Sequence, residues 1–296
     1  MNAFSGTAVA LVTPFSPDNL VDVLALKQLV RRNINAGINY LVVLGTTAET
    51  ATLSLEDQQL VIKTVVEENQ GEVPLVLGLG GNDTDALVTQ IKQTNFEHFA
   101  AILSVTPYYN RPTQEGLIAH FNAVAKACPI PVIIYNVPLR TGVNMWAKTS
   151  IAIAQNNTNI IGIKEACGDM EQVAELLSTK PEGFLVISGD DATAFQTTLA
   201  GGAGVISVIG QAIPEILVKL INSALNGHDV KMNCLNENLQ PLINVVFEEG
   251  NPAGIKGLLS LISDFPLGVR LPLLPASSVL VSKLKSELNI LNPINC

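Results

Sequence analysis

Eight short β-rich apolar runs that alternate with helix-period segments predict an α/β protein, a (β/α)8 TIM barrel with a C-terminal helical extension. Two observations carry that prediction. The apolar runs are nearly continuous rather than alternating, as parallel strands covered on both faces require. All eight βα units fall within residues 1–226, whereas residues 227–296 show helical pattern and no strand. An open doubly wound sheet is the structural rival until the residues at the strand ends are weighed.

In chain order the strand-like runs are residues 8–12, 40–44, 75–79, 100–105, 131–135, 160–164, 184–188 and 204–208. The intervening segments, for example residues 23–36, 55–68, 83–95 and 114–127, have helical period and length. Residues 213–226 read as the helix of the eighth unit. Residues 230–248, 252–262 and 277–288 are helical in pattern and separated by Gly250-Asn251-Pro252 and Leu271-Pro272-Leu273. No Ser/Gly linker or charge block precedes them, so they are expected to pack on the barrel or at a subunit contact. Gly78-Leu79-Gly80-Gly81-Asn82 is not G-x-G-x-x-G, and Gly201-Gly202-Ala203-Gly204 precedes a strand, the wrong side for a dinucleotide loop. Both read as tight barrel turns.

Composition narrows the function. With 48% hydrophobic and 15% charged residues among 296, the chain can bury a large core. Its net charge of −9 argues against a nucleic-acid or anionic-membrane surface, and means that an anionic substrate needs local help from lysine or arginine. Four cysteines (Cys128, Cys167, Cys234, Cys296) without C-x-x-C spacing suggest neither a disulfide framework nor a zinc site. His98, His120 and His228 lie far apart, and no metal site is expected. Neither a signal peptide nor a transmembrane span is seen, so a cytoplasmic location is expected.

The chemistry collects at the C-terminal ends of the strands, the face on which such a barrel builds its site. The run at residues 160–164 ends on Lys164, a single lysine in an apolar strand. Taken alone, a strand-end lysine can snorkel to solvent. Buried, it loses charge stabilisation and supplies the free amine that a Schiff-base nucleophile needs. Its company favours the second reading. Strand two ends Gly45-Thr46-Thr47-Ala48-Glu49-Thr50, and strand four ends Thr106-Pro107-Tyr108-Tyr109-Asn110-Arg111-Pro112. Strand five ends Tyr135-Asn136-Val137-Pro138-Leu139-Arg140-Thr141-Gly142, strand seven Ser188-Gly189-Asp190-Asp191, and strand eight Ile206-Ser207. Three of the four tyrosines sit on this face. A lysine that attacks a keto carbonyl needs protons moved at the carbinolamine, imine and enamine stages. Tyr135, one strand away, suits that task, and Thr46 and Tyr109 can extend a hydroxyl relay. Thr46-Thr47 beside a turn suits a small carboxylate, and Arg140 offers a planar fork for a second one.

GTTAET, TPYYNRP, YNVPLRTG and GIKEA, in this order and spacing, resemble the dihydrodipicolinate synthase (4-hydroxy-tetrahydrodipicolinate synthase) family of pyruvate-dependent class I aldolase-type barrels. The likeness runs nearly end to end and includes Asn251-Pro252 and Arg270-Leu271-Pro272. It implies that pyruvate and L-aspartate 4-semialdehyde are condensed through a Lys164 imine to 4-hydroxy-tetrahydrodipicolinate, in diaminopimelate and lysine biosynthesis. It assigns Tyr135 as proton donor and acceptor, and Thr46 and Tyr109 as relay, with Tyr109 reaching a neighbouring subunit's site. Thr47, Ile206 through its backbone and Gly189 would contact pyruvate or its adduct, and Arg140 the semialdehyde carboxylate. No metal or organic cofactor is implied, and the implied assembly is a homotetramer. The lysine and YNxP motifs are shared with sialic acid lyases, so a sugar-acid lyase is one alternative and a non-catalytic keto-acid-binding paralogue another. Two departures stand out. Ala48 replaces the usual glycine, and Leu55, Gln58 and Ala86 stand where lysine-inhibited bacterial members have two histidines and a glutamate, so weak feedback by lysine is expected.

Overall fold

The computed structural model describes residues 3–227 and 230–291, so His228 and Cys296 lie outside the described residues. Eight parallel strands close in sequence order into a barrel: β1 (Gly6–Ala10), β2 (Tyr40–Val43), β3 (Leu75–Gly78), β4 (Ala101–Val105), β5 (Val132–Asn136), β6 (Ile160–Glu165), β7 (Leu185–Ser188) and β8 (Gly204–Ser207). The covering helices are α1 (Val23–Asn35), α2 (Leu55–Asn69), α3 (Thr84–Gln93), α4 (Gln114–Ala127), α5 (Pro138–Thr141), α6 (Ala147–Asn156), α7 (Met170–Thr179), α8 (Ala194–Leu199) and α9 (Pro214–Leu225). Three more follow: α10 (Lys231–Phe247), α11 (Ala253–Ile262) and α12 (Ser278–Leu291). The (β/α)8 barrel with a C-terminal helical extension is thus the fold.

The continuous apolar runs have their reason in the two cores. Alternate strand residues such as Ala8, Tyr40, Val42, Leu103, Ile133 and Ile206 fill the barrel interior, while their neighbours Val9, Leu41, Val43, Ile102 and Ile134 face the helices. Phe4 meets the buried Tyr40 ring edge-on at 5.6 Å inside the barrel. Side-chain caps start the helices where the sequence places Asp, Ser or Thr: Asp22 on α1, Ser54 on α2 with a reciprocal capping box to Asp57, Asp83 on α3, Thr113 on α4 and Asp169 on α7.

Strand β1 lies two residues earlier than expected. Gly6 and Gly204 are paired across the β1–β8 seam, and a Cβ on Gly204 would fall 1.9 Å from the Gly6 carbonyl. Only two glycines let the backbones close the barrel there, and this draws the ladder back to residues that look like loop. Asn136 and Glu165 likewise extend β5 and β6 by one residue each.

Helices α10, α11 and α12 do not build a separate core. Their Leu239, Leu242, Ile255, Leu258, Leu280 and Leu284 belong to the same apolar cluster as the outer barrel wall. Cys128 and Cys167 are free thiols. Among the described residues no helix is long and apolar enough to cross a membrane, and no group of three or more His, Cys, Asp or Glu side chains could hold a metal ion.

Candidate active site

Lys164 is 4% exposed and sits near the C-terminal end of β6, directly across from Tyr135 on β5. Its Nζ lies 4.4 Å from the centre of the Tyr135 ring. Burial holds the amine's pKa down to about 8; Asp191 pulls it back upward and Arg140 pushes it further down. Near neutral pH a usable share of the amine is therefore unprotonated. Burial also raises Tyr135 to about 12, so its phenol keeps its proton and can both give and take one.

A cavity of about 410 Å³ opens above these two side chains. The turn after β2 brings Thr46 and Thr47 to its wall, α5 brings Arg140, and the end of β7 brings Gly189. Gly189 is required by contact rather than by backbone conformation, because a Cβ would meet Lys164 Cγ and Cε at 2.8 Å and Ala166 Cβ at 2.9 Å. Arg140 and Lys164 bring the basic groups to a cavity whose wall also includes Asp190 and Glu248.

Six of the eight predicted site residues converge on that cavity: Lys164, Tyr135, Thr46, Thr47, Arg140 and Gly189. Two do not. Ile206 is fully buried with its side chain in the barrel interior, and Val208 takes the place on the wall. Tyr109 is 89% exposed, at a left-handed φ of 74°, and lines neither this cavity nor the adjoining one. That adjoining cavity, about 690 Å³, shares Thr46, Tyr135 and Arg140 with the first and continues past Tyr108, Leu55 and Gln58.

Several residues hold the site without having been singled out in the sequence. Glu165, next to the lysine, is buried and accepts from Asn136 Nδ2, Gln172 Nε2 and the Cys167 N–H. The same Asn136 and Gln172 bind Asn144, so the ends of β5 and β6 are locked together around the Tyr135–Lys164 pair. Asp191, also buried, accepts from the Ser207 hydroxyl and from the N–H groups of Val208 and Ile209, which ties the β7 end to the β8 end. Desolvation raises the pKa of both carboxyls, and the donors around them work in the opposite direction.

The extension reaches the site through Asn251. Its Nδ2 donates to Thr47 Oγ1 at 2.9 Å, and its carbonyl accepts from Arg140 Nη2 at 3.1 Å. One residue thus touches both predicted carboxylate contacts. The Thr46–Ala48 turn is flanked by Leu44 and Glu49, both left-handed at φ 56° and 58°. Non-glycine residues in that region cost of order 1–3 kcal/mol each and persist where their surroundings over-determine them.

A chain with these features is similar to known proteins over its full described length. The family model described as the dihydrodipicolinate synthetase family matches residues 3–291. The 4-hydroxy-tetrahydrodipicolinate synthase of Flavobacterium psychrophilum is 49% identical over 284 residues, covering 96% of this chain and 97% of that one. That of Azobacteroides pseudotrichonymphae is 44% identical over 283 residues, covering 96% of each. The crystal structure of dihydrodipicolinate synthase from Thermotoga maritima superposes with a TM-score of 0.94 at 36% identity, over 97% of this chain and 98% of its own. With the barrel, the buried lysine and this end-to-end likeness in agreement, the chain belongs to the dihydrodipicolinate synthetase family.

Proposed function

We propose that the protein is a lyase that condenses pyruvate with L-aspartate 4-semialdehyde to 4-hydroxy-tetrahydrodipicolinate, a step toward diaminopimelate and lysine. The observation that carries this reading is the buried Lys164 amine beside Tyr135, in a cavity that also holds Arg140. The neutral amine of Lys164 adds to the keto carbon of pyruvate, whose oxygen takes up a proton. Loss of water from the carbinolamine leaves an imine, and removal of a methyl proton from the imine gives an enamine. The enamine carbon then forms the new C–C bond with the aldehyde, whose oxygen is protonated. Attack by the substrate's own amine on the imine carbon closes the ring and frees Lys164.

The chain's residues divide this work. Tyr135 gives and receives the protons at each oxygen, with Thr46 as the next hydroxyl. Thr47 and the Gly189 edge take the pyruvate end, Ile206 contributes through its backbone, and Arg140 takes the semialdehyde carboxylate as a bidentate fork. No metal or organic cofactor enters these steps.

The assembly we propose is a homotetramer in the cytoplasm, with Tyr109 of one subunit completing the relay of another. Two features support this. Tyr109 is held outward in a left-handed conformation, and the second cavity stands open beside Thr46 and Tyr135, where an incoming side chain would complete the set.

The test is turnover of pyruvate with aspartate 4-semialdehyde, run beside N-acetylmannosamine and glyceraldehyde. A large preference for the semialdehyde is expected. Turnover only with a sugar aldehyde would keep the lysine chemistry and overturn the substrate. No turnover with any of the three, and no borohydride-trapped pyruvate, would make the chain a non-catalytic binder.

A further inference from the structure

We infer that Glu49 and Lys256 are positioning residues for pyruvate binding: their buried ion pair lets the C-terminal extension set the geometry of the Thr46–Thr47 turn. The inference rests on the pyruvate reading above. Neither side chain lines the cavity over Lys164; Glu49 lies along the adjoining cavity, but its side chain is 1% exposed and turned to Lys256, so both act through the turn and not on substrate.

The turn carries backbone strain of its own. It enters through Leu44 and leaves through Glu49, two non-glycine residues in the left-handed region, and Ala48 occupies its third position. Locally, Thr50 Oγ1 donates to the Leu44 and Gly45 carbonyls at 2.9 and 3.0 Å, and the Ala48 and Glu49 N–H groups close the turn on Gly45 and Thr46. Its further support comes from elsewhere. Thr13 Oγ1 donates to the Ala48 carbonyl at 2.8 Å, and Asn251 donates to Thr47. The Glu49 carboxylate is fixed at both oxygens by the extension: Lys256 Nζ donates to Oε1 at 2.6 Å and the Arg270 N–H to Oε2 at 2.8 Å.

The pair is built for rigidity. The side chains of Lys256 and Glu49 are 0% and 1% exposed. Lys256 spends a further donor on the Gly268 carbonyl at 2.6 Å and lies 4.4 Å from the centre of the Phe15 ring. Arg270 covers the same ring and binds Asp57 and the Thr52 carbonyl, immediately beyond the turn. A buried ion pair is weak support for stability, since replacing both partners by apolar or neutral groups is often neutral. Its distinguishing property is directional. It allows one rotamer of Glu49 and hence one backbone setting for Thr47, two residues earlier.

This separates positioning from bulk stability. Glu49→Gln/Lys256→Met removes both charges and leaves no unpaired ion, so the barrel is expected to fold. Pyruvate saturation of borohydride trapping on Lys164 should then need at least tenfold more pyruvate, with the KM for aspartate semialdehyde within about threefold of wild type. Circular dichroism and thermal melting establish that the variant is folded. Should the double variant fail to fold, Glu49→Gln/Lys256→Gln, which also leaves no unpaired ion and keeps an amide donor for the Gly268 carbonyl, is measured in the same way, with the same shift expected. A folded variant with pyruvate affinity within twofold of wild type overturns the inference, as does an equal rise in both KM values. Wild-type protein is the control. If it traps no pyruvate, the underlying reading fails instead.

Discussion

The Gly189→Ala substitution tests how tightly the barrel holds its lysine. The added Cβ would lie 2.8 Å from both Lys164 Cγ and Cε, against about 3.4 Å for ordinary contact, so something must move by about 0.6 Å. Gly189 has no left-handed backbone, so the methyl group is the whole perturbation. Ala166 Cβ at 2.9 Å is fixed to the end of β6, whereas Lys164 has the cavity beside it to move into. The lysine therefore yields on its side, and the Ala166 contact is relieved by a shift of the chain at the end of β7. Overpacking costs roughly 1–3 kcal/mol, which at this chain length is a melting-temperature drop of roughly 2–12 °C. Activity suffers more. A misplacement of ~1 Å in a reacting group can cost about a hundredfold, so ~0.6 Å is expected to lower kcat/KM for pyruvate roughly tenfold or more. Steady-state kinetics and a thermal melt read the two effects separately. A kcat/KM within twofold of wild type would refute the reasoning that Gly189 is there to make room for Lys164.

Other predictions follow from the same geometry. Arg140→Ala removes a charged fork worth about 1.5–3 kcal/mol to a carboxylate and should raise the KM for aspartate semialdehyde about 10- to 100-fold, with pyruvate trapping little changed; an equal effect on both substrates would contradict its assignment. Because burial holds Lys164 down to about 8, the rate of pyruvate trapping should climb roughly tenfold per pH unit between pH 6 and 7 and level off above 8. The sign follows from the neutral amine being the nucleophile, and an inflection near the ordinary lysine value would contradict it. L-lysine should inhibit weakly or not at all, since Leu55 and Gln58, lining the second cavity, offer its charged ends few partners; strong inhibition at sub-millimolar lysine would show otherwise.

Much of this molecule was legible in its sequence because each strand carries its own signal. Runs such as Tyr40–Val43 and residues 132–135 are buried on both faces, and the break in each run marks a polar loop at the site. Lys164 and Tyr135 stood out as polar groups in apolar company, and the register that sets them side by side follows from neighbouring parallel strands. The start of β1 was hidden because Gly6-Thr7 reads as loop until Gly204 is seen to pair with it. Contributions from the extension were hidden by distance along the chain. Asn251 meets Thr47 across 204 residues, and Lys256 meets Glu49 across 207. The one local hint is Lys256 itself, a lone charge in the apolar helix Ala253–Ile262. Tyr109 presents the opposite case, since its motif predicts a role and the single chain leaves it facing outward.

The most direct test of the whole account is borohydride trapping with pyruvate, followed by mass measurement, on wild-type protein and on Lys164→Ala. Wild type should gain one reduced pyruvate adduct per chain, located by peptide mapping on Lys164. Lys164→Ala should gain none while keeping its fold, because one strand-end side chain is a small part of a core that runs through all eight strands. An adduct of equal yield in the variant, or on a different lysine in wild type, would contradict the central claim that this buried amine is the nucleophile.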